Sequence, residues 1–294
     1  MVQLSATNLS VTYRTTGRRV DAVKGVTLEV KAGERFGVIG ESGSGKSSLL
    51  RALLGLEAIT GGTVTFEGQP THGAPKALRR RLQPVFQDVG AALDPRMRIS
   101  DALAEPFVIH ALPVDEQKLT ALLGLVQLGP DVLGKLPREL SVGQRQRVNL
   151  ARALALEPAM LLLDEPVSAL DVSVQAQIIN LLLELTSRRH LTLFVISHDL
   201  DVMAHLTERL AVMYAGRLVE IGPTRELLAA PKHPYTRLLV ESRARAVEPR
   251  STDTATSGCA FAPRCADAKA ECRAAVPPLT GQHHQSACLV HPGA

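Results

Sequence analysis

The stretch Gly40-Glu41-Ser42-Gly43-Ser44-Gly45-Lys46-Ser47 decides how this chain is read. It follows the pattern G-x-x-x-x-G-K-S, and both flanks suit it. Arg35-Phe36-Gly37-Val38-Ile39 is a short apolar run fit for a buried strand. Ser48-Leu49-Leu50-Arg51-Ala52-Leu53-Leu54 reads as a helix that closes at Gly55, a C-terminal cap. A strand, a Gly-rich turn and a helix N-terminus aim several backbone N–H groups at one point, where the positive end of the helix dipole favours anionic oxygens. Gly40, Ser42, Gly43, Ser44, Gly45, Lys46, Ser47 and Ser48 are therefore the expected nucleotide-binding set. Lys46 is expected on the β- and γ-phosphates, and the Ser47 hydroxyl on Mg²⁺.

Working outward, the 294 residues allow one large or two modest domains, and 45% hydrophobic content is ample for a packed core. Trp is absent and aromatics are 3%, which argues against a stacking surface for nucleic acid. The net charge of +4 is spread along the chain, with no basic tract suited to a DNA or RNA groove. No nucleic-acid partner is expected. No apolar run approaches the ~18 residues needed to cross a bilayer, and residues 1–19 lack the apolar core of a secretory signal. The expected place is the cytosol or the cytoplasmic face of a membrane, held peripherally by partners.

Alternation over residues 4–13, a second run at 23–30 and a glycine-bounded run at 61–68 predict a small antiparallel sheet. Residues 101–110 and 115–128 read as helices, and a further helix opens at Ser141, an N-cap, and runs to about Glu157. The apolar strand Met160-Leu161-Leu162-Leu163 ends in Asp164-Glu165-Pro166. A helix over about 174–188 follows, then an apolar strand over 191–196 that ends in Ser197-His198-Asp199. Apolar strands alternating with helices predict a parallel sheet buried on both faces, with ligands at the carboxyl ends of its strands. A hairpin over 209–220 turning at Ala215-Gly216 and a helix near 225–230 come next. The expected fold is α/β: a P-loop NTPase parallel core, an N-terminal antiparallel β subdomain, an inserted helical subdomain at about 88–157 and a Cys-rich C-terminal tail. Residues 1–242 form the nucleotide-binding domain, 243–257 a linker and 258–294 the Cys-bearing extension.

Hydrolysing a nucleotide needs a carboxylate for Mg²⁺, a group that orients or deprotonates water, and cationic or N–H groups on the γ-phosphate. Asp164 suits the first role, Glu165 the second, and His198 a γ-phosphate contact. Lys46, Glu165 and His198 are the expected catalytic residues.

Taken together, these motifs resemble the ATP-binding subunit of an ABC transporter. Phe86-Gln87-Asp88 is similar to the family's Q-loop, Leu140-Ser141-Val142-Gly143-Gln144 to its signature motif, and Leu161-Leu162-Leu163-Asp164-Glu165-Pro166 to Walker B. Ser168-Ala169-Leu170-Asp171 resembles the D-loop and Ser197-His198-Asp199 the switch histidine. The resemblance implies Tyr13 stacked on adenine, Gln87 joining Ser47 and Asp164 around Mg²⁺, and a head-to-tail dimer in which Ser141, Gly143 and Gln144 of one subunit meet the ATP of the other. Val142 departs from the family's usual Gly. As a first helical residue it keeps a negative φ, but its bulk falls near the incoming phosphate.

Leu93-Asp94-Pro95-Arg96, Glu105-Pro106, Glu220-Ile221-Gly222 and residues 231–239 further resemble the oligopeptide/dipeptide importers, which include nickel and glutathione systems. That implies a second ATPase subunit, expected to be a paralogue, with two transmembrane permease subunits and an extracytoplasmic substrate-binding protein. Soluble relatives acting on DNA or the ribosome are the alternative class.

All four cysteines, Cys259, Cys265, Cys272 and Cys288, fall in the tail. A cytosolic chain seldom keeps structural disulfides, so a metal or cluster site is expected. The resemblance implies a four-iron four-sulfur cluster. The spacings carry no C-x-x-C knuckle, so zinc and free thiols stay open, with His283, His284 and His291 as spare ligands.

Overall fold

The computed structural model describes residues 1–15, 17–168, 170–245 and 257–293. In chain order its elements are β1 (Val2–Thr15), β2 (Arg18–Lys31), β3 (Arg35–Ile39), α1 (Lys46–Leu53), β4 (Gly61–Phe66), β5 (Gln69–Pro70), α2 (Lys76–Arg81), β6 (Leu82–Val85), α3 (Val89–Ala92), α4 (Ile99–Ile109) and α5 (Glu116–Leu125). There follow α6 (Val142–Leu154), β7 (Met160–Asp164), α7 (Val172–Arg189), β8 (Thr192–Ser197), α8 (Leu200–Leu206), β9 (Arg209–Tyr214), β10 (Arg217–Pro223), α9 (Thr224–Ala229), α10 (Pro234–Arg245), α11 (Ala270–Ala274) and β11 (Gln285–Ser286).

The chain divides into two compact units. One comprises Val2–Val30, Arg35–His72 and Ile196–Ala294, and the other Met1, Lys31–Glu34 and Gly73–Val195. In the first, β2, β1, β4 and β5 lie in that order in one sheet, with β4 antiparallel to β1. Leu4 and Ala6 are buried from even positions of β1, Leu9 and Val11 from odd ones. The switch falls where the β1–β4 register shifts between Thr7 and Ser10 and Asn8 takes φ 50. A bulge there adds one residue and flips the inward face. The same unit carries β11, β10, β9 and β3 side by side, with β3 and β9 parallel and β9 and β10 an antiparallel hairpin. That hairpin turns at Ala215 (φ 47) and Gly216 (φ 87), two consecutive positive φ values that match the twist of the strands they join.

In the second unit β6 and β7 run parallel, and every residue of β7 is buried. All six residues of β8 are buried as well. Strands covered on both faces have no polar side to alternate with, so their sequences are apolar except at the ends, where Asp164, Thr192 and Ser197 stand. Between β6 and β7 the described chain is helical and turn structure, including α4, α5 and α6.

The helix opened by Ser141 ends at Leu154, short of the expected Glu157, because Glu157 itself takes φ 51 and turns the chain ahead of Pro158. The expected linker at 243–257 starts too early: α10 continues to Arg245, launched by Pro234 at its first position, where a missing N–H loses nothing. Residues 246–256 of that reading lie outside the described residues.

Candidate nucleotide site

The phosphate loop joins β3 to α1 in the first unit. Two of its glycines are dictated by close backbone approach. A Cβ on Gly40 would stand 2.2 Å from the Met213 carbonyl oxygen, and one on Gly45 would stand 2.2 Å from that of Ala22. Gly45 is also the N-cap of α1 at φ 105, a conformation that side chains rarely adopt. Lys46 opens the helix and is buried, its Nζ donating to the carbonyl oxygens of Gly40 (2.7 Å) and Glu41 (3.0 Å). Its ammonium thus spans the loop from inside. Among the described residues, the buried Ser44 hydroxyl has no hydrogen-bond partner. A buried orphan hydroxyl beside a helix N-terminus fits a phosphate oxygen.

Tyr13, on β1, donates through its hydroxyl to Ser48 Oγ (3.2 Å) and Glu57 Oε2 (3.1 Å). Its ring is therefore held beside the start of α1. His198 follows β8 and is exposed. The turn around it is fixed on both sides. Ser197 Oγ accepts the Asp199 N–H at 3.0 Å, and Asp199 caps α8 by accepting the N–H groups of Asp201 and Val202.

The second unit carries the acidic pair. Asp164 is the buried last residue of β7, and Glu165 sits just beyond it at φ 50. A non-glycine residue in the left-handed region costs roughly 1–2 kcal/mol, and such strain concentrates at working sites. The loop after Glu165 is pinned: Gln146 Nε2 donates to the Pro166 carbonyl (2.7 Å) and Gln175 Nε2 to that of Val167 (3.0 Å). Gln87 Nε2 donates to Ser168 Oγ (3.4 Å), which donates in turn to the Glu165 carbonyl (3.2 Å). Gln87 and Glu165 are thus linked through one serine. The segment resembling the D-loop includes Ala169, outside the described residues; its Asp171 caps α7. The Val174 N–H, followed by the Ser173 hydroxyl, holds the Asp171 carboxyl below the usual carboxylate range.

Ser141 and Gln144 close a capping box at the start of α6. Val142 is the first helical residue and is 42% exposed. Gly143 lets this helix start against α7, since a Cβ there would lie 2.6 Å from Val174 Cγ1.

Sequence reasoning missed a group of residues that converge on the loop's second position. Arg264 donates through its two terminal nitrogens to Glu41 Oε2 (3.3 Å) and Oε1 (3.2 Å), and to the Tyr214 hydroxyl (3.3 Å). The Tyr235 hydroxyl accepts the Glu41 N–H at 3.0 Å. Tyr214, Tyr235 and Phe261 pack ring against ring, a concentration of aromatics in a chain that has few. The one signal available in advance was this scarcity.

The four cysteines form no disulfide with one another and line a single cavity, together with His233, Pro234 and Phe261. Burial pushes the thiols of Cys259 and Cys265 up. The donor set is one that thiolate-bound metals use. Among the described residues, no three His, Cys, Asp or Glu side chains are drawn together as a metal site. The three histidines expected as spare ligands point elsewhere. His284 Nε2 contacts the buried Glu220 at 2.6 Å, His291 Nε2 contacts Asp267 at 3.0 Å, and His283 stands 3.5 Å from Glu226. His284 thereby clamps the extension onto β10, because Glu220 also accepts the N–H groups of Lys232 and His233.

A lysine folded into the carbonyls of its own glycine loop, at the start of a helix that follows a buried parallel strand, defines a P-loop nucleotide-binding protein. Residues 23–168 match the family model described as ABC transporter, and residues 219–272 match that of the oligopeptide/dipeptide transporter C-terminal region. The chain belongs to the ABC transporter family, and ATP is its nucleotide. It is 43% identical to a probable peptide ABC transporter ATP-binding protein, y4tS, of Sinorhizobium fredii, covering 95% of this chain and 84% of that one. It is 42% identical to the di/tripeptide transport ATP-binding protein DppF of Pseudomonas aeruginosa, covering 89% and 87%. Among solved structures, the dimeric ATP-binding cassette MJ0796 in a post-hydrolysis state with ADP and Pi superposes with a TM-score of 0.68 at 28% identity, covering 76% of this chain and 99% of that one. Among the described residues, no helix is long and apolar enough to cross a membrane.

Proposed function

We propose that this chain is the ATP-hydrolysing subunit of a membrane importer for oligopeptides or dipeptides. The observation that carries the reading is the union, in one chain, of an ATP-binding cassette with a C-terminal region matched to the oligopeptide/dipeptide transporters. The curated relatives named above are peptide-transport proteins, which favours peptides over nickel or glutathione and over a soluble partner.

In this reading Tyr13 covers the adenine, and Gly40, Ser42, Gly43, Ser44, Gly45, Lys46, Ser47 and Ser48 cradle the phosphates. The family resemblance implies that Ser47, Gln87 and Asp164 would hold Mg²⁺, that Glu165 would orient or deprotonate the attacking water and that His198 would contact the γ-phosphate. A second cassette, a paralogue, supplies Ser141, Gly143 and Gln144 in trans, where the N-terminus of α6 offers N–H groups to the γ-phosphate. The pair works at the cytoplasmic face of the membrane with two permease subunits and an extracytoplasmic binding protein. The helical stretch between β6 and β7 acts as the inserted subdomain that carries the signature helix. Cys259, Cys265, Cys272 and Cys288, which line one cavity, would hold a four-iron four-sulfur cluster, with zinc as the alternative, and the cluster would give the extension a redox-active centre.

The assembled complex with Glu165→Gln tests the ATPase assignment. Turnover should fall by at least about a hundredfold while an ATP-bound dimer accumulates; unaltered hydrolysis would remove Glu165 from its role. Peptide-stimulated ATPase activity in vesicles tests the cargo class. Iron analysis and absorbance near 400 nm test the cluster, with zinc in its place as the contrary result.

A further inference from the structure

Glu41 occupies a variable position of the phosphate-loop motif, yet every part of it is engaged. Its carbonyl accepts the Lys46 ammonium at 3.0 Å and the Ser44 N–H at 3.1 Å. Its N–H goes to Tyr235, and its carboxylate is gripped by both terminal nitrogens of Arg264. The Arg264 side chain is only 9% exposed, and its guanidinium lies over the rings of Phe261 (5.4 Å) and Tyr214 (5.7 Å). It comes from the C-terminal extension, one residue before Cys265.

This arrangement answers an electrostatic problem. A carboxylate at the second position of a loop that binds a polyanion repels the ligand, and a two-point guanidinium grip neutralises it while fixing the main chain that carries the Lys46 acceptors. We propose that Arg264 is a positioning residue of the ATP site: by holding and neutralising Glu41 it keeps the phosphate loop in its nucleotide-accepting form, which makes the C-terminal extension part of the nucleotide-binding apparatus. The inference rests on the phosphate loop being the ATP site.

The test is equilibrium binding of Mg·AMP-PNP to the full chain, with KM and kcat for ATP in the assembled complex. Arg264→Met leaves Glu41 uncompensated and should weaken binding about tenfold, raising KM with kcat little changed. Adding Glu41→Gln should restore most of the lost affinity, a rescue that a purely structural role for Arg264 would not produce. Arg264→Lys keeps the charge without the fork and should fall between wild type and Arg264→Met; it also serves if the methionine variant does not fold. Equal losses with and without Glu41→Gln, or wild-type affinity in both Arg264 variants, would overturn the proposal. Lys46→Ala separates the two readings: if it binds the analogue as tightly as wild type, the loop assignment itself fails. If Lys46→Ala abolishes binding while the Arg264 variants bind normally, only the present inference fails.

Discussion

Ser141 Oγ accepts the Gln144 N–H at 3.2 Å, and Gln144 Oε1 accepts the Ser141 N–H at 3.0 Å, so α6 begins with its end groups paired to each other. The hydroxyl expected to meet a neighbouring subunit's phosphate is, in the single chain, a helix cap. Ser141→Ala should therefore cost about 1 kcal/mol of stability in the isolated chain and lower ATPase activity of the assembled complex by on the order of tenfold or more. Gln144→Ala should show a comparable stability loss with a smaller activity loss. Denaturant titration and complex ATPase assays check both; equal activity losses would mean that Ser141 acts only as a cap.

Val142 sits at the first turn of α6 with a side chain 42% exposed. Its negative φ means that replacing it by glycine relieves no backbone strain and lowers helix stability by only about 0.3 kcal/mol. Removing its bulk should nonetheless raise the ATPase rate of the assembled complex. A stability loss with no gain in rate would show that the valine does not crowd the site.

The loop glycines are not equivalent. Gly43 takes φ 78 with nothing within 4 Å of an added Cβ, whereas Gly45 takes φ 105 with the Ala22 oxygen at 2.2 Å. Gly43→Ala should cost only the left-handed strain, roughly 1–2 kcal/mol, and keep measurable ATP binding. Gly45→Ala must move backbone and should lose binding altogether. Isothermal titration with Mg·ATP distinguishes them, and equal losses would contradict the packing argument.

What was legible in the sequence was local. The phosphate loop, the Ser141 cap, the apolar β7 and the Ala215-Gly216 turn each depend on residues a few positions apart, and each stands where the pattern places it. The inward face of β1 was harder, because one bulge residue exchanges odd for even positions. The Glu41–Arg264 grip joins residues 223 positions apart, and no local periodicity encodes such a pair. The spare histidines misled for a related reason. Their proximity to cysteines in sequence suggested ligands, while the buried Glu220 carboxylate, which requires partners wherever the chain can supply them, recruits His284.

His233 gives the extension's seat a pH dependence of calculable sign. Burial, then the charges of Arg237 and His291, lowers its pKa to about 4, and its backbone N–H donates to Glu220 while its Nδ1 accepts the Tyr235 N–H. The unfolded chain, with an ordinary histidine near 6.5, takes up this proton at a higher pH than the folded one. Between those values the unfolded state binds more protons, so stability rises with pH through the window and is lost as pH falls from about 6.5 toward 4, by at most about 1.4 kcal/mol per pH unit for this one group. His233→Asn supplies an acceptor for the Tyr235 N–H without a titrating ring. Urea unfolding of the full chain from pH 4 to 8 should show the variant's pH slope in that window reduced by nearly one proton, with little change between the slopes above pH 7. An unchanged slope would mean that His233 takes up its proton in the folded chain as readily as in the unfolded one.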